Sequence, residues 1–157
     1  MAQTKAAKKD TKATKAAPKK AFSDAEMAAM RARAREVKAA ARRGAAEADG
    51  ESDALAAIAA MPAPDRAIAE RIHKLIKSTA PGIAPKTWYG MPAYARDGSV
   101  VCHFQNASKF KMRYATLGFT DKANLDDGQV WPVAYALKSL GSADEARIAA
   151  LIRQAMS

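Results

Sequence analysis

The sequence predicts an α+β domain with a small, mainly antiparallel sheet, preceded by a tail without a fold of its own. Three observations predict it. Apolar residues recur at helical spacing between 52 and 80 and again from 142 onward. Between those segments, over about 86–119, they alternate at the two-residue period of strands and are broken by turn residues. Residues 1–20 consist almost wholly of Lys, Ala, Thr and Pro. Helices, then a strand meander, then helices are the order of an α+β fold.

Residues 1–21 are expected to be disordered, because alanine is nearly all the apolar surface they offer against the entropy of ordering a backbone. Lys5, Lys8, Lys9, Lys12, Lys15, Lys19 and Lys20 stand there against Asp10, so the tail holds +6 of the chain's +10. The segment reads either as a solubilising arm or as a non-specific polyanion-binding one, nucleic acid included.

A charged helix follows over 22–44. Ser23 and Glu26 have the spacing of a capping box, with Phe22 and Met27 placed for a hydrophobic staple. Its apolar stripe of Met27, Met30, Ala34 and Val37 is thin, and its arginines are distributed around it. Residues 45–51 read as a linker and 52–157 as the folded domain. A short helix over 52–61 stops at Pro62. The next, from Asp65 to Ser78, carries Ile68, Ile72, Leu75 and Ile76, the pattern of a helix buried on one face.

Trp88-Tyr89 and Ala93-Tyr94 read as strand pieces on either side of a Gly90–Pro92 kink. Arg96-Asp97-Gly98 reads as a hairpin turn. Over Ser99–Gln105, alternation puts Val100, Cys102 and Phe104 on one face and Val101, His103 and Gln105 on the other. A strand over 110–117 would put Lys111 and Arg113 on the face opposite Met112 and Tyr114. Ala134–Leu140 reads as a short helical stretch, and a last helix opens with Ser142 and Glu145 in capping-box spacing.

The segment Thr87-Trp88-Tyr89-Gly90-Met91-Pro92-Ala93-Tyr94 concentrates three aromatics in a chain that has two Trp, four Tyr and four Phe. It is followed in order by Lys109-Phe110-Lys111-Met112-Arg113-Tyr114-Ala115-Thr116-Leu117-Gly118-Phe119 and by Leu125-Asp126-Asp127-Gly128. On these motifs the chain from 52 to 157 resembles the YdhG-like family, small bacterial domains of largely unknown function, some described as iron chaperones. The resemblance identifies a domain and not a reaction. For an iron-chaperone role it implies hard oxygen ligands, for which Asp121, Asp126 and Asp127 are the candidates; turns and caps explain the same residues.

One cysteine rules out an intrachain disulfide and suits a reducing compartment. The chain has no run of eighteen apolar residues to span a membrane and no apolar core of a secretory signal, so a cytoplasmic protein without a membrane partner is expected. Cys102 and His103 are neighbours whose side chains leave the strand on opposite faces, so they cannot form a nucleophile–base pair. Glu70 and His73 have one metal-binding spacing without a second copy, and an exposed helical histidine is the reading for His73. No phosphate-binding glycine loop, G-x-S-x-G or H-E-x-x-H is present. The expectation is a domain that is not an enzyme and carries no cofactor. Trp88, Tyr89, Tyr94 and His103, beside the cations Lys111 and Arg113, would form a groove for a small ligand or a partner. Iron handling and an accessory DNA-associated role acting through the tail are the alternatives.

Overall fold

The computed structural model describes residues 22–43 and 47–157. The tail expected to be disordered lies outside that range. Five antiparallel strands form one sheet in chain order: β1 (Ala84–Trp88), β2 (Met91–Arg96), β3 (Ser99–Gln105), β4 (Ala115–Phe119) and β5 (Ala134–Leu137). The helices α1 (Asp24–Arg43), α2 (Glu47–Ala59) and α3 (Ala63–Thr79) precede it. One turn of helix, α4 (Ala107–Phe110), links β3 to β4, and α5 (Ser142–Ala155) follows. This is the α+β meander that the periodicities predict.

Both leading hairpins turn in two residues with positive φ at each, Tyr89 (53°) with Gly90 (76°) and Asp97 (50°) with Gly98 (79°). That geometry matches the twist of the flanking strands. Asp-Gly announces such a turn, whereas Tyr89 does not, and the expected kink is a full chain reversal that pairs Trp88 with Met91. Between β2 and β3 the register slips. Tyr94 faces Cys102 while Ala95 faces Val100, which leaves Val101 as a bulged residue. Val101 therefore joins the core and Val100 is only half-buried, against the simple alternation.

On the inner face Tyr94, Cys102, Phe104 and Leu117 pack in one cluster with Ile58 of α2, Ile72 and Ile76 of α3, and Ile148 and Ile152 of α5. Each such aliphatic side chain contributes about 1.5–3 kcal/mol by its burial. Arg71 of α3 links the two long helices of this layer. Its Nε donates to Glu145 Oε1 at 2.9 Å and its Nη1 to the Leu140 carbonyl at 2.5 Å.

Four expectations need correction. Residues 47–51 are not linker but the first residues of α2. Gly50 is there for contact, since a Cβ on it would lie 2.6 Å from the Pro85 carbonyl oxygen of β1. The strand expected over 110–117 starts only at Ala115, because residues 107–110 form α4: Asp65 Oδ2 accepts from the Ser108 amide at 2.9 Å and tightens the chain into a turn. Lys111 then ends α4 in the left-handed region at φ 53°. Residues 134–137 are the strand β5, paired with β4, and not helix. Finally, the α5 cap is one residue early: Asp144 Oδ2 accepts from the Gly141 amide at 2.8 Å, and Glu145 is engaged by Arg71. The capping box at the start of α1 forms as expected, with Ser23 N donating to Glu26 Oε2 at 2.6 Å and Glu26 N to Ser23 Oγ at 3.2 Å.

Candidate functional site

The pairing register lines up Lys86, Ala93, His103, Gly118 and Ala134 as one row across all five strands, on the face opposite Tyr94 and Phe104. Small residues at three of these positions leave room for what stands between them. The His103 imidazole uses that room. A Cβ on Gly118 would lie 2.5 Å from His103 Cε1 and 2.7 Å from Nε2, so the ring rests on the glycine. Trp88 meets it edge-on with ring centroids 5.2 Å apart, and Tyr89 meets Trp88 at 5.0 Å and 73°. Edge-to-face pairs of this kind are worth about 0.5–1.5 kcal/mol beyond their burial.

His103 is half-buried, and burial pushes its pKa down, so the ring is neutral near pH 7. Its Nδ1 is buried and has no hydrogen-bond partner among the described residues. Such a group ordinarily costs about 1–3 kcal/mol unless it is satisfied. A neutral imidazole can offer either a donor or an acceptor there, according to its tautomer.

At the end of this row the β1–β2 turn is held by α1. The Tyr89 and Gly90 amides donate to Glu36 Oε2 and Oε1 at 3.1 and 2.8 Å. Arg33 pairs with the same carboxylate at 3.5 Å and stands 5.8 Å over the Tyr89 ring. Lys109 Nζ donates to the Tyr89 carbonyl at 3.3 Å. The cations beside the aromatics are thus Arg33 and Lys109.

The six residues expected to share a groove do not stay together. Trp88, Tyr89 and His103 do. Tyr94 belongs to the inner face and is fully buried. Its hydroxyl meets His73 Nδ1 at 3.1 Å, and His73 Nε2 lies 3.5 Å from Glu51, which also binds Lys77 at 3.1 Å. His73 is therefore buried rather than exposed, and its partner is Glu51 rather than Glu70. Lys111 and Arg113 are exposed on the α4–β4 connection and share no strand face. Arg113 covers the Tyr114 ring at 5.4 Å.

Cys102 is fully buried on the inner face, and its thiol is pushed up to about 12 by that burial. Asp121 pairs with the adjacent Lys122 at 3.1 Å, and Asp126 and Asp127 are exposed on the β4–β5 connection. They do not gather into a donor set. Among the described residues no group of three or more His, Cys, Asp or Glu is placed to hold a metal ion. No helix among them is long and apolar enough to cross a membrane. The tail lysines lie outside the described residues.

Sequence reasoning missed Gly118, Glu36 and Arg33. An isolated glycine inside a strand is the signal that another group approaches closely, which was available for Gly118. Nothing local marks Glu36, whose partner amides are more than fifty positions away. In comparisons with protein-family models, curated proteins and solved structures, nothing matches this chain.

Proposed function

We propose that the chain is a binding domain of the YdhG-like kind and not a catalyst, and that the outer sheet face around Trp88 and His103 receives a small ligand or the side chain of a partner. One observation carries the reading: a neutral imidazole seated on a glycine, edge-on to an indole, with a buried ring nitrogen that nothing in the described chain satisfies. A planar group with one polar atom would stack on Trp88 and, with a turn of the imidazole that brings Nδ1 to the surface, complete that hydrogen bond, which is how a few placed polar groups in an aromatic surface give orientation. The raised pKa of Cys102 and its position on the other face support the non-catalytic side of the reading.

The experiment is a ligand-observed NMR screen of planar heteroaromatic fragments against the protein and its His103→Ala and Trp88→Ala variants. Fragments should bind the parent chain and lose binding in both variants while folding is retained. A screen whose hits bind all three proteins alike would remove this site from consideration.

A further inference from the structure

We propose that the β1–β2 turn is a carboxylate-binding site, and that Glu36 of α1 occupies it as an intramolecular stand-in for a ligand carboxylate. The proposal deepens the reading above and rests on it only for the ligand's ring, not for its carboxylate.

Consecutive residues with positive φ point their amides the same way, and paired N–H groups of this sort make a concave anion site. Tyr89 and Gly90 have that conformation, and each donates to a different oxygen of one carboxylate, at 3.1 and 2.8 Å. Cations stand on either side. Arg33 lies 3.5 Å from the carboxylate, and a Cβ on Gly90 would lie 2.6 Å from Lys109 Nζ. The Glu36 side chain is only 15% exposed, so its carboxylate has left most of its water for these donors.

Two features argue for a site beyond a helix contact. First, Tyr89 is an aromatic residue in the left-handed region, in a turn where Asn or Gly would sit without strain. Its ring closes against Trp88, which brings the aromatic surface up to the two amides. Second, α1 is docked by the wrong face for a helix held by apolar packing. Met27, Met30 and Val37 are exposed, while Ala32, Arg33 and Glu36 meet the turn. The Glu36 carboxylate is thus a polar hold on a helix that contributes no residue to the core cluster. The ligand class is a carboxylate bearing a planar or aromatic group, with the carboxylate on the Tyr89 and Gly90 amides, the Lys109 ammonium beside it on the same turn, and the ring against Trp88.

The test uses the full chain and its Glu36→Ala variant, ¹⁵N-labelled and titrated with sodium acetate, sodium phenylacetate, neutral phenylacetamide and, at matched ionic strength, sodium chloride. In Glu36→Ala both carboxylates should shift the Tyr89 and Gly90 amide signals saturably, and the parent chain should need about tenfold more or higher, the worth of one charge-assisted hydrogen bond. Lys109→Met in the Glu36→Ala background should weaken both. Should Glu36→Ala disturb the hairpin, Glu36→Gln gives the same comparison with the side-chain shape kept. Shifts by acetate with no gain for phenylacetate would keep the carboxylate site and count against the aromatic surface. Amides that ignore both carboxylates, or answer chloride or phenylacetamide equally, would overturn the proposal.

Discussion

His73 shows how a single titratable residue couples this fold to pH. Burial pushes its pKa down, and the Glu51 carboxylate pulls it only partly back. In the unfolded chain a histidine takes up its proton near about 6.5. Below that pH the unfolded state binds more protons than the native one, so stability falls as pH drops through the window. His103 acts in the same sense, also through burial. Glu51 stays ionised across the range, its own pKa being lowered first by Lys77. Urea unfolding should therefore show lower stability at pH 5.5 than at pH 7.5, by up to about 1.4 kcal/mol per group for each unit between the two pKa values. A His73→Gln/His103→Gln variant should flatten the profile, and stability rising toward pH 5.5 would contradict this. Cys102 makes a second residue-level expectation. Thiol reagents should label it slowly in the native chain and rapidly in denaturant, and Cys102→Ala should cost about 1 kcal/mol. The sequence showed Cys102 as buried from its strand neighbours. It did not show His73 as buried, because polarity argued for the surface although Asp65, Ala69, Ile72, His73 and Ile76 share one buried stripe.

Elements were legible where one local signal decides them. The α1 capping box, the one-sided apolar pattern of α3 and the Asp97-Gly98 turn all needed nothing beyond their own residues. Those that failed depend on distant partners. β5 is four residues, Ala-Tyr-Ala-Leu, that would suit a helix and become strand only by pairing with β4. α4 owes its turn to Asp65, more than forty positions away, and it is this turn that scatters Lys111 and Arg113. Gly50 tests the same lesson with a reversed sign. Glycine to alanine within a helix ordinarily stabilises by about 1 kcal/mol. At Gly50 the added methyl would meet the Pro85 carbonyl at 2.6 Å, so Gly50→Ala should destabilise, by about 1–3 kcal/mol as overpacking does. A thermal melt that moves up on this substitution would show that α2 does not press on β1.

Across the whole molecule, charge and candidate site are divided between different parts of the chain. The lysine-rich stretch of residues 1–20 carries +6 of the chain's +10. If it confers DNA binding, affinity should fall with salt with a log–log slope no steeper than about −6, and deletion of residues 1–20 should abolish it. Binding that persists unchanged in the deletion would place it elsewhere. In the folded part, half of the expected groove was readable, since Trp88, Tyr89 and His103 lie together. The other half was not, because alternation cannot foresee α4, and the cations that do stand by the aromatics come from α1 and α4. The most direct measurement is ¹H–¹⁵N chemical-shift mapping with the tightest fragment from the heteroaromatic screen. The Trp88 indole N–H and the His103, Gly118 and Ala93 amides should shift together and saturate at one affinity, with Lys111→Ala and Arg113→Ala leaving that affinity unchanged. Shifts confined to the surface around Lys111, Arg113 or Asp126, with Trp88 and His103 still, would contradict a binding site on the outer face of the sheet.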